Sequence, residues 1–307
     1  MAHRYSISID LGGTNLKIAL VARDYTIHEA HFINTNRFTN KTLLIQGIVS
    51  AVETLKRSHA LRKSDIAGIG LGLPGPIDTE KGLVHYFPNI PGWKGIPLKT
   101  ILARKTGLPC FLDNDANLMC LAEYTRGAAQ HTRNAICLTL GTGIGGGIII
   151  NGQLYRGLSF AAGELGHIPI TTNGRKCNCG GSGCVEAYIG NRHIARKARA
   201  LFSRPITLEE VSALAQKKNK LALALWEWVG MNLGTMLVGV VNLLNPDIIV
   251  IGGGVAQAGE ALLKSVRQTI TKQAMPIQAA HVKIVKAKLG NNAGLIGAAI
   301  LVRSARQ

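Results

Sequence analysis

The sequence predicts an α/β protein with two lobes, and three observations support this prediction. Short apolar runs of strand length alternate with segments of helical periodicity along all 307 residues. Two apolar strand pairs, each interrupted by a glycine-rich turn, begin at residues 5 and 135 and indicate two related halves. No linker rich in proline, serine or charge separates the halves, so we expect the two lobes to pack closely.

Composition excludes several other classes of protein. Hydrophobic residues make up 47% and charged residues 17%, which excludes a disordered chain, and the 36 glycines lack the period of collagen. The longest apolar segment, 221–244, is interrupted by Glu227, Asn232 and Asn242, so no membrane-spanning helix is expected. The N-terminal residues lack the apolar core of a signal peptide. We therefore expect a cytoplasmic protein without a membrane partner.

The formal net charge of +18 has two interpretations. A basic face could bind nucleic acid, or the basic surface could belong to an enzyme that handles anionic phosphates. Aromatic residues make up only 5% of the chain, and none of them interleave with basic residues in the pattern that stacks bases. We therefore expect no nucleic-acid partner.

Local patterns predict the elements of the first half. Residues 5–10 alternate as a strand, residues 11–15 form a glycine turn, and residues 16–21 return as a second strand. A strand–turn–strand unit of this kind is neither a Walker loop nor a dinucleotide fingerprint, because both of those lead from a strand into a helix. The next expected elements are a strand or its exit at 33–39, a helix at 41–57, a strand at 66–73 that ends in Pro74-Gly75-Pro76, a helix at 98–106, a strand at 109–112 and a helix at 116–127.

The second half begins with a similar unit, in which strand 135–139, a glycine turn at 141–147 and strand 148–150 follow one another. The further expected elements are helices at 190–202, 208–216 and 221–244, a strand at 247–251, a helix at 258–273, a strand at 282–287 and a helix at 293–304. We expect the last helix to return to the first lobe. The predicted division is a small lobe of residues 1–117 and 293–307 and a large lobe of residues 118–292.

Three glycine-rich turns at strand ends, at residues 10–14, 140–147 and 251–254, predict a nucleotide site. Glycine lets backbone N–H groups approach a phosphate closely, and successive N–H groups form a nest for anions. Thr14 and Thr142 add hydroxyl donors, and Asp10 could hold Mg²⁺ directly or through water. One such turn would more often merely close a hairpin. Three such turns, two of which contain Gly-Thr, favour a nucleotide-binding site.

The six cysteines fall into two sets. Cys110, Cys120 and Cys137 stand alone in apolar segments and are expected to be small buried residues. Three further cysteines lie within eight residues of one another, at 177, 179 and 184. Because the sequence shows no signal peptide, disulfides are not expected, and the thiol cluster indicates a metal.

Five motifs together resemble the ROK family of repressors, open reading frames and sugar kinases. They are IDLGGTN at 9–15, LGTGIGGG at 140–147, DNDAN at 113–117, AGELGHI at 162–168 and CNCGGSGCVEAY at 177–188. Within the family, PGPIDTEKGLV followed by PNIPGW at 88–93 is most similar to the bacterial glucokinases. The resemblance covers nearly the whole chain. It implies the two-lobed, actin-like (ribonuclease-H-like) ATPase fold, with sugar and ATP between the lobes.

The resemblance also assigns a zinc loop at 167–186, with His167, Cys177, Cys179 and Cys184 as ligands. Three thiolates and one imidazole give a closed tetrahedral site without an open position, which is typical of structural zinc. A redox role is the alternative, but Cys-x-Cys is a poor geometry for a disulfide. The expected task of the zinc is to fix the loop that carries Glu186.

The resemblance implies that Asp115 is the general base, because a sugar hydroxyl attacks phosphorus poorly unless a carboxylate accepts its proton. Taken locally, Asn114-Asp115 would be an ordinary helix cap, and each glutamate of the pocket would more often be a surface residue. The expected sugar contacts are Gly75, Asn89, Asn114, Asp115, Glu164, His167 and Glu186. The expected ATP contacts are Asp10, Gly12, Gly13, Thr14, Asn15, Gly141, Thr142, Gly143, Gly145, Gly146, Gly253 and Gly254.

The expected function is therefore ATP-dependent phosphorylation of the 6-hydroxyl of a hexose, with glucose as the first choice. N-acetylglucosamine, N-acetylmannosamine or allose is the alternative substrate. A sugar-responsive repressor is the remote alternative, because no helix-turn-helix pattern precedes the first strand. The resemblance also implies a homodimer or homotetramer. A sugar held from both lobes is expected to favour a closed arrangement of the lobes.

Two departures from the family pattern concern the nucleotide side. Asn15 stands where many members have lysine. Asn291-Asn292 stands where members often have an acidic pair, so we expect the segment around these two residues to have a packing role.

Overall fold

The structure, a computed structural model, describes residues 3–12, 15–86 and 93–306. The chain divides into two compact units. The first comprises Met1–Ala122, Arg156–Ala162 and Asn291–Gln307, and the second Glu123–Tyr155 and Gly163–Gly290. The sequence-based division left residues 156–162 within the large lobe, whereas here they belong to the first unit.

The first unit is built on a five-stranded sheet with the order β3-β2-β1-β4-β8. β1 and β2 form an antiparallel hairpin, and β1, β4 and β8 run parallel. A separate three-stranded sheet, β5-β6-β7, lies in the same unit. The bounds are β1 Tyr5–Leu11, β2 Asn15–Ala22, β3 Ile27–Asn34, α1 Lys41–Ser58, β4 Ile66–Leu73, β5 Ile77–Asp78, β6 Leu83–Tyr86, β7 Lys94–Ile96, α2 Leu98–Thr106, β8 Cys110–Asn114 and α3 Asp115–Arg126.

The second unit repeats this plan with the sheet order β11-β10-β9-β12-β13. β9 and β10 form the antiparallel hairpin, and β9, β12 and β13 run parallel. The bounds are β9 Ala135–Leu140, β10 Ile144–Ile150, β11 Gln153–Leu154, α4 Glu186–Ile189, α5 Asn191–Phe202, α6 Leu208–Gln216, α7 Lys220–Leu244, β12 Ile248–Gly252, α8 Glu260–Gln273, α9 Pro276–His281, β13 Lys283–Lys286 and α10 Ala293–Ser304. Although α10 comes last in the chain, it belongs to the first unit, where it packs on β1 and β4.

Most predicted elements are confirmed, because their signals are local. Asn40 caps α1 by accepting a hydrogen bond from the Leu43 N–H at 3.0 Å. Asn245 ends α7 in the left-handed conformation with φ 43°, directly before Pro246. The short elements β5, β6, β7, β11 and α9 were not predicted, since such short segments carry little periodicity.

Two predicted elements are placed wrongly. The strand expected at 33–39 is β3, Ile27–Asn34, which lies at the sheet edge and has many exposed polar residues that hide its alternation. The turn expected at 141–147 is shorter, because β10 begins at Ile144. Gly145, Gly146 and Gly147 are strand residues that pair with β9. A run of glycines favours a turn locally, but pairing with a buried strand overrides that preference.

Each unit has its own apolar core, formed around its sheet and the flanking helices. Among the described residues, α7 is the helix whose length and composition would permit a membrane span, and 50% of its most apolar stretch is buried. It packs against α5, α6 and α8 and contributes many side chains to the core of the second unit. This environment is typical of a core helix that is apolar on most of its surface.

Candidate functional site

In the first unit, several predicted site residues meet at one edge of the sheet. Asp10 pairs in register with Gly72, and Leu73 pairs with Asn114, so the carboxyl ends of β1, β4 and β8 lie side by side. This edge is where open α/β sheets bind ligands. The Asn114 side-chain amide donates to the carbonyl oxygen of Gly75 at 3.3 Å, which brings two predicted sugar contacts together.

The turn from β8 into α3 holds Asn114 and Asp115. Asn114 is the helix cap, since its side-chain oxygen accepts from the N–H of Ala116 at 2.9 Å and of Asn117 at 3.4 Å. Asp115 is the first residue of α3, and its Oδ1 accepts from the Ala116 N–H at 2.9 Å. Its side chain is half-buried. Asn114 therefore caps the helix, and the adjacent Asp115 carries the carboxylate that was predicted to act as the general base.

Asp10 lies at the end of β1 and is largely buried. Burial raises the pKa of its carboxyl group, and Lys17 opposes this shift from 3.4 Å. A Cβ at Gly294 would lie 2.6 Å from the Asp10 carboxylate, and the Lys17 ammonium also donates to the Asn291 carbonyl oxygen at 3.1 Å. The segment before α10 therefore packs on Asp10. Among the described residues, Lys17 is the one basic partner of this buried carboxylate, which leaves room for a further cation such as Mg²⁺.

In the second unit, the turns that were predicted to bind the nucleotide also meet at the carboxyl ends of parallel strands. Gly252 pairs with Thr139, so Gly253 and Gly254 follow β12 beside the turn of Gly141, Thr142 and Gly143. Thr142 is exposed at the tip of this turn, and nothing lies within 4 Å of a Cβ placed at Gly141 or Gly254. These open backbone positions are the ones that suit a phosphate.

Gly145 and Gly146 have a different environment, since both lie within β10. A Cβ at Gly146 would lie 2.6 Å from the Gly163 carbonyl oxygen and 2.7 Å from the Leu165 side chain. The residue at this position must therefore be small to let the loop that carries Glu164 pack against the strand. Close packing therefore explains why residue 146 is a glycine, and no phosphate contact is needed to explain it.

Four predicted metal ligands lie together: the ligand atoms of His167, Cys177, Cys179 and Cys184 are all within 4.8 Å of one another. The Cys177 sulfur is 3.6 Å from Nδ1 of His167, and the Cys179 and Cys184 sulfurs are 3.7 Å apart. A tetrahedral zinc with Zn–S of ~2.3 Å and Zn–N of ~2.0 Å has edges of about 3.5 Å to 3.8 Å. The donor set therefore fits zinc.

The protonation chemistry of the cluster also favours a cation. Burial raises the pKa of the Cys184 thiol to about 12, and its two neighbouring cysteines add to that shift. The Gly181 N–H has the opposite effect and lowers the pKa of Cys179. Thiols in such close contact do not all ionise at neutral pH on their own. A bound divalent metal would deprotonate them outright.

The predicted sugar residues of the second unit lie around this cluster. Because His167 presents Nδ1 to Cys177, its Nε2 is on the other side of the ring, 3.8 Å from Glu164. Glu186 begins α4 two residues after Cys184, and its Oε2 accepts from the Ile144 N–H at 2.7 Å. A Cβ at Gly143 would lie 2.6 Å from the same oxygen. Glu186 thus contacts the end of the nucleotide turn.

The remaining predicted residues are less informative. Gly12 lies in the β1–β2 turn, where its N–H donates to the Asn15 carbonyl oxygen at 2.9 Å, and Asn15 is exposed at the start of β2. Gly13, Thr14 and Asn89 lie outside the described residues.

Sequence reasoning missed two basic residues at the site of the first unit. Lys17 contacts Asp10, and Arg156 forms an ion pair with Asp113 at 2.6 Å. Neither residue lies in a glycine turn or a cysteine cluster, and Arg156 is far from Asp113 in sequence. Lys17 lies opposite Asp10 in the β1–β2 hairpin, so the register of the predicted hairpin could have identified it, whereas no local signal could have identified Arg156.

Comparison with known proteins decides the family. The sequence profile of the ROK family matches residues 6–305. The chain belongs to the ROK family. It is 37% identical to a glucokinase of Halalkalibacterium halodurans over 99% of this chain and 96% of that protein. It is also 30% identical to a xylose repressor of Bacillus spizizenii, over 97% of this chain and 77% of the repressor.

Solved structures of the family share the fold. A Streptomyces griseus ROK glucokinase in complex with glucose and AMPPNP superposes with a TM-score of 0.84 at 30% identity, covering 98% of this chain and 99% of that one. A Listeria monocytogenes protein described as a putative N-acetylmannosamine kinase gives 0.83 at 27% identity, covering 99% and 100%. The predicted actin-like α/β fold is therefore confirmed.

Proposed function

We propose that this ROK protein transfers the γ-phosphoryl group of ATP to the 6-hydroxyl of a hexose, with glucose as the preferred substrate. The observation that carries the proposal is the half-buried Asp115 carboxylate, which begins α3 at the ligand-binding edge of the first sheet, beside Asn114 and Gly75. Sugar and ATP as substrates are consistent with the glucokinases among its relatives.

Each proposed role follows from a position already described. Asp115 accepts the proton of the 6-hydroxyl as the oxygen–phosphorus bond forms and the bond to the ADP leaving group breaks. Glu164, His167 and Glu186 orient the sugar hydroxyls through carboxylate and imidazole hydrogen bonds. Nε2 of His167 lies on the ring side that faces away from the Cys177 sulfur, so it remains available to a hydroxyl.

The nucleotide is proposed to lie on the open backbone at Gly141 and Gly254, with the hydroxyl of Thr142 toward its phosphates. Asp10 would hold Mg²⁺, which supplies positive charge to the phosphates. His167, Cys177, Cys179 and Cys184 would hold a structural zinc ion. Because ATP and reduced thiols are typical of the cytoplasm, we also propose a cytoplasmic location.

The decisive experiment measures ADP release with Mg-ATP against a panel of sugars: glucose, mannose, allose, N-acetylglucosamine and N-acetylmannosamine. We expect the highest kcat/KM with glucose and a 6-phosphate product by NMR. A sugar with a 2-acetamido group as the best substrate would replace glucose within the same reaction. Absence of sugar-dependent ADP release across the panel would reject the kinase proposal.

A sugar-responsive regulator is the second candidate, and its support is the 30% identity to a xylose repressor. The two functions differ in turnover. A regulator would bind xylose or glucose in calorimetry without releasing ADP, whereas a kinase releases one ADP for each sugar phosphorylated. The expected homodimer or homotetramer stays a prediction, which sedimentation of the purified chain would test.

A further inference from the structure

Asp113 is one of the few charged side chains that are buried in the described part of the chain, with 1% of its surface exposed. Its Oδ2 accepts two hydrogen bonds from Arg156, from Nε at 2.9 Å and from Nη2 at 2.6 Å. Its Oδ1 accepts from the Asn114 N–H at 2.8 Å and from the side-chain amide of Asn117 at 2.9 Å. Both carboxylate oxygens are thus fully engaged.

These partners span the turn that carries the proposed general base. Asn114 is the last residue of β8 and Asn117 lies in the first turn of α3, so the Asp113 carboxylate ties the strand end to the helix start. Asp115 lies between the two anchored residues. Its backbone position, and with it the direction of its carboxylate, therefore depends on the ion pair behind it.

Arg156 comes from a distant part of the sequence. It begins the 156–162 segment, which belongs to the first unit although the strands before it belong to the second. The segment folds back on itself, since the Ala162 N–H donates to the Arg156 carbonyl oxygen at 3.0 Å. The guanidinium thus reaches Asp113 from a compact loop.

We propose that Arg156 and Asp113 form a positioning pair that sets the orientation of Asp115 for proton transfer. A buried carboxylate without its cation is strongly unfavourable, so loss of Arg156 would force Asp113 to move or to take up a proton. Either change loosens the hydrogen bonds to Asn114 and Asn117. Misplacement of a reacting group by ~1 Å can lower a rate by about 10²-fold.

The inference rests on the proposed kinase reaction, and it predicts an effect on kcat rather than on substrate binding. Arg156→Lys keeps the charge but loses the two-pronged geometry, and we expect kcat to fall about 10-fold. Arg156→Gln should lower kcat about 100-fold, with the KM values for sugar and ATP within about 3-fold of wild type. Rates are divided by the fraction of chains that bind sugar in calorimetry, which removes any loss from misfolding.

A double variant keeps the test valid if Arg156→Gln folds poorly. Asp113→Asn combined with Arg156→Gln leaves no buried charge, and the new amide still offers an oxygen to the Asn114 N–H. We expect this variant to recover stability and part of the kcat lost in Arg156→Gln. Arg267→Gln is the matched control, because it removes a guanidinium of the second unit that pairs with Glu260 at 2.8 Å and donates to the Ile284 carbonyl oxygen, and it should leave kcat unchanged.

Hydrogen exchange separates failure of this inference from failure of the proposed function. Exchange at the Asn114 and Ala116 amides should accelerate in Arg156→Gln and stay at the wild-type rate in Arg267→Gln. If wild type phosphorylates no hexose, the kinase proposal fails, and the exchange result still decides whether the pair orders the turn. Wild-type kcat in folded Arg156→Gln, or unchanged exchange at these amides, would overturn the positioning role.

Discussion

The proposed sugar ligands of the two units are held in different ways. In the first unit, Asn114 and Asp115 occupy the junction of a buried strand and a helix, where the cap and the Asp113 carboxylate fix the backbone. In the second unit, Glu164 and His167 lie in a long connection between β11 and α4, which contains a single 3-10 turn at Leu165–His167 and two isolated β-bridges.

This difference gives a physical reason why the proposed zinc would serve the second unit. A connection of this length without regular structure is uncommon, and ordering it costs conformational entropy for every residue. Four ligands spread over residues 167–184 would cross-link the connection at its centre and carry the order to Glu186. The strand–helix junction is ordered by hydrogen bonds within its own elements and by the Arg156–Asp113 ion pair behind them.

The largest expected effect concerns the first unit. Asp115→Asn keeps a similar shape and should leave the fold and the affinity for glucose nearly unchanged, yet lower kcat by about 10²–10⁴-fold, because the amide cannot accept the proton. The measurement is turnover at saturating sugar and Mg-ATP. Near-wild-type turnover would remove Asp115 from the role of base.

The second effect tests the metal cross-link. Metal analysis of the wild type should give about one zinc per chain. Cys179→Ser should lose this zinc, and the free energy of unfolding should fall by about 4 kcal/mol or more. Cys110→Ser is the control, since Cys110 is buried in the first unit away from the cluster and the variant should keep its zinc. Unchanged melting of a metal-free Cys179→Ser would mean that the connection is ordered without zinc.

The third effect concerns Glu186, a proposed sugar ligand whose carboxylate accepts from the Ile144 N–H directly after the turn of Gly141, Thr142 and Gly143. Glu186→Gln retains an oxygen for the Ile144 N–H but loses the charge. Hydrogen bonds to a charged group contribute about 1.5–3 kcal/mol, so KM for glucose should rise roughly 10–100-fold while kcat changes less. A wild-type KM would place the sugar away from Glu186.

The smallest effects separate packing glycines from phosphate glycines. Gly146→Ala places a Cβ against the Gly163 backbone and should lower the free energy of unfolding by about 1–3 kcal/mol. Gly141→Ala meets nothing within 4 Å, so its stability should be unchanged, whereas KM for ATP should rise by about 10-fold if phosphates approach that backbone. Equal melting losses in the two variants would contradict this distinction.

Much of the fold could be predicted because its signals are local. Alternation predicted β1 and β2, the helical spacing of apolar residues predicted α1, and Asn245-Pro246 marked the end of α7. The same applies to three of the zinc ligands, since Cys177, Cys179 and Cys184 are neighbours in sequence. Motifs of the family supplied His167 and selected Asp115 over Asp113.

The sequence by itself therefore determined the elements, the thiol cluster and the glycine turns. The tertiary structure decided that Gly146 is a packing residue and that Arg156 holds Asp113. The physical reason is the distance along the sequence over which each interaction acts. Periodicity, capping and turn preference act over a few residues, whereas an ion pair such as Arg156–Asp113 joins residues 43 positions apart and exists only once the strand register is fixed.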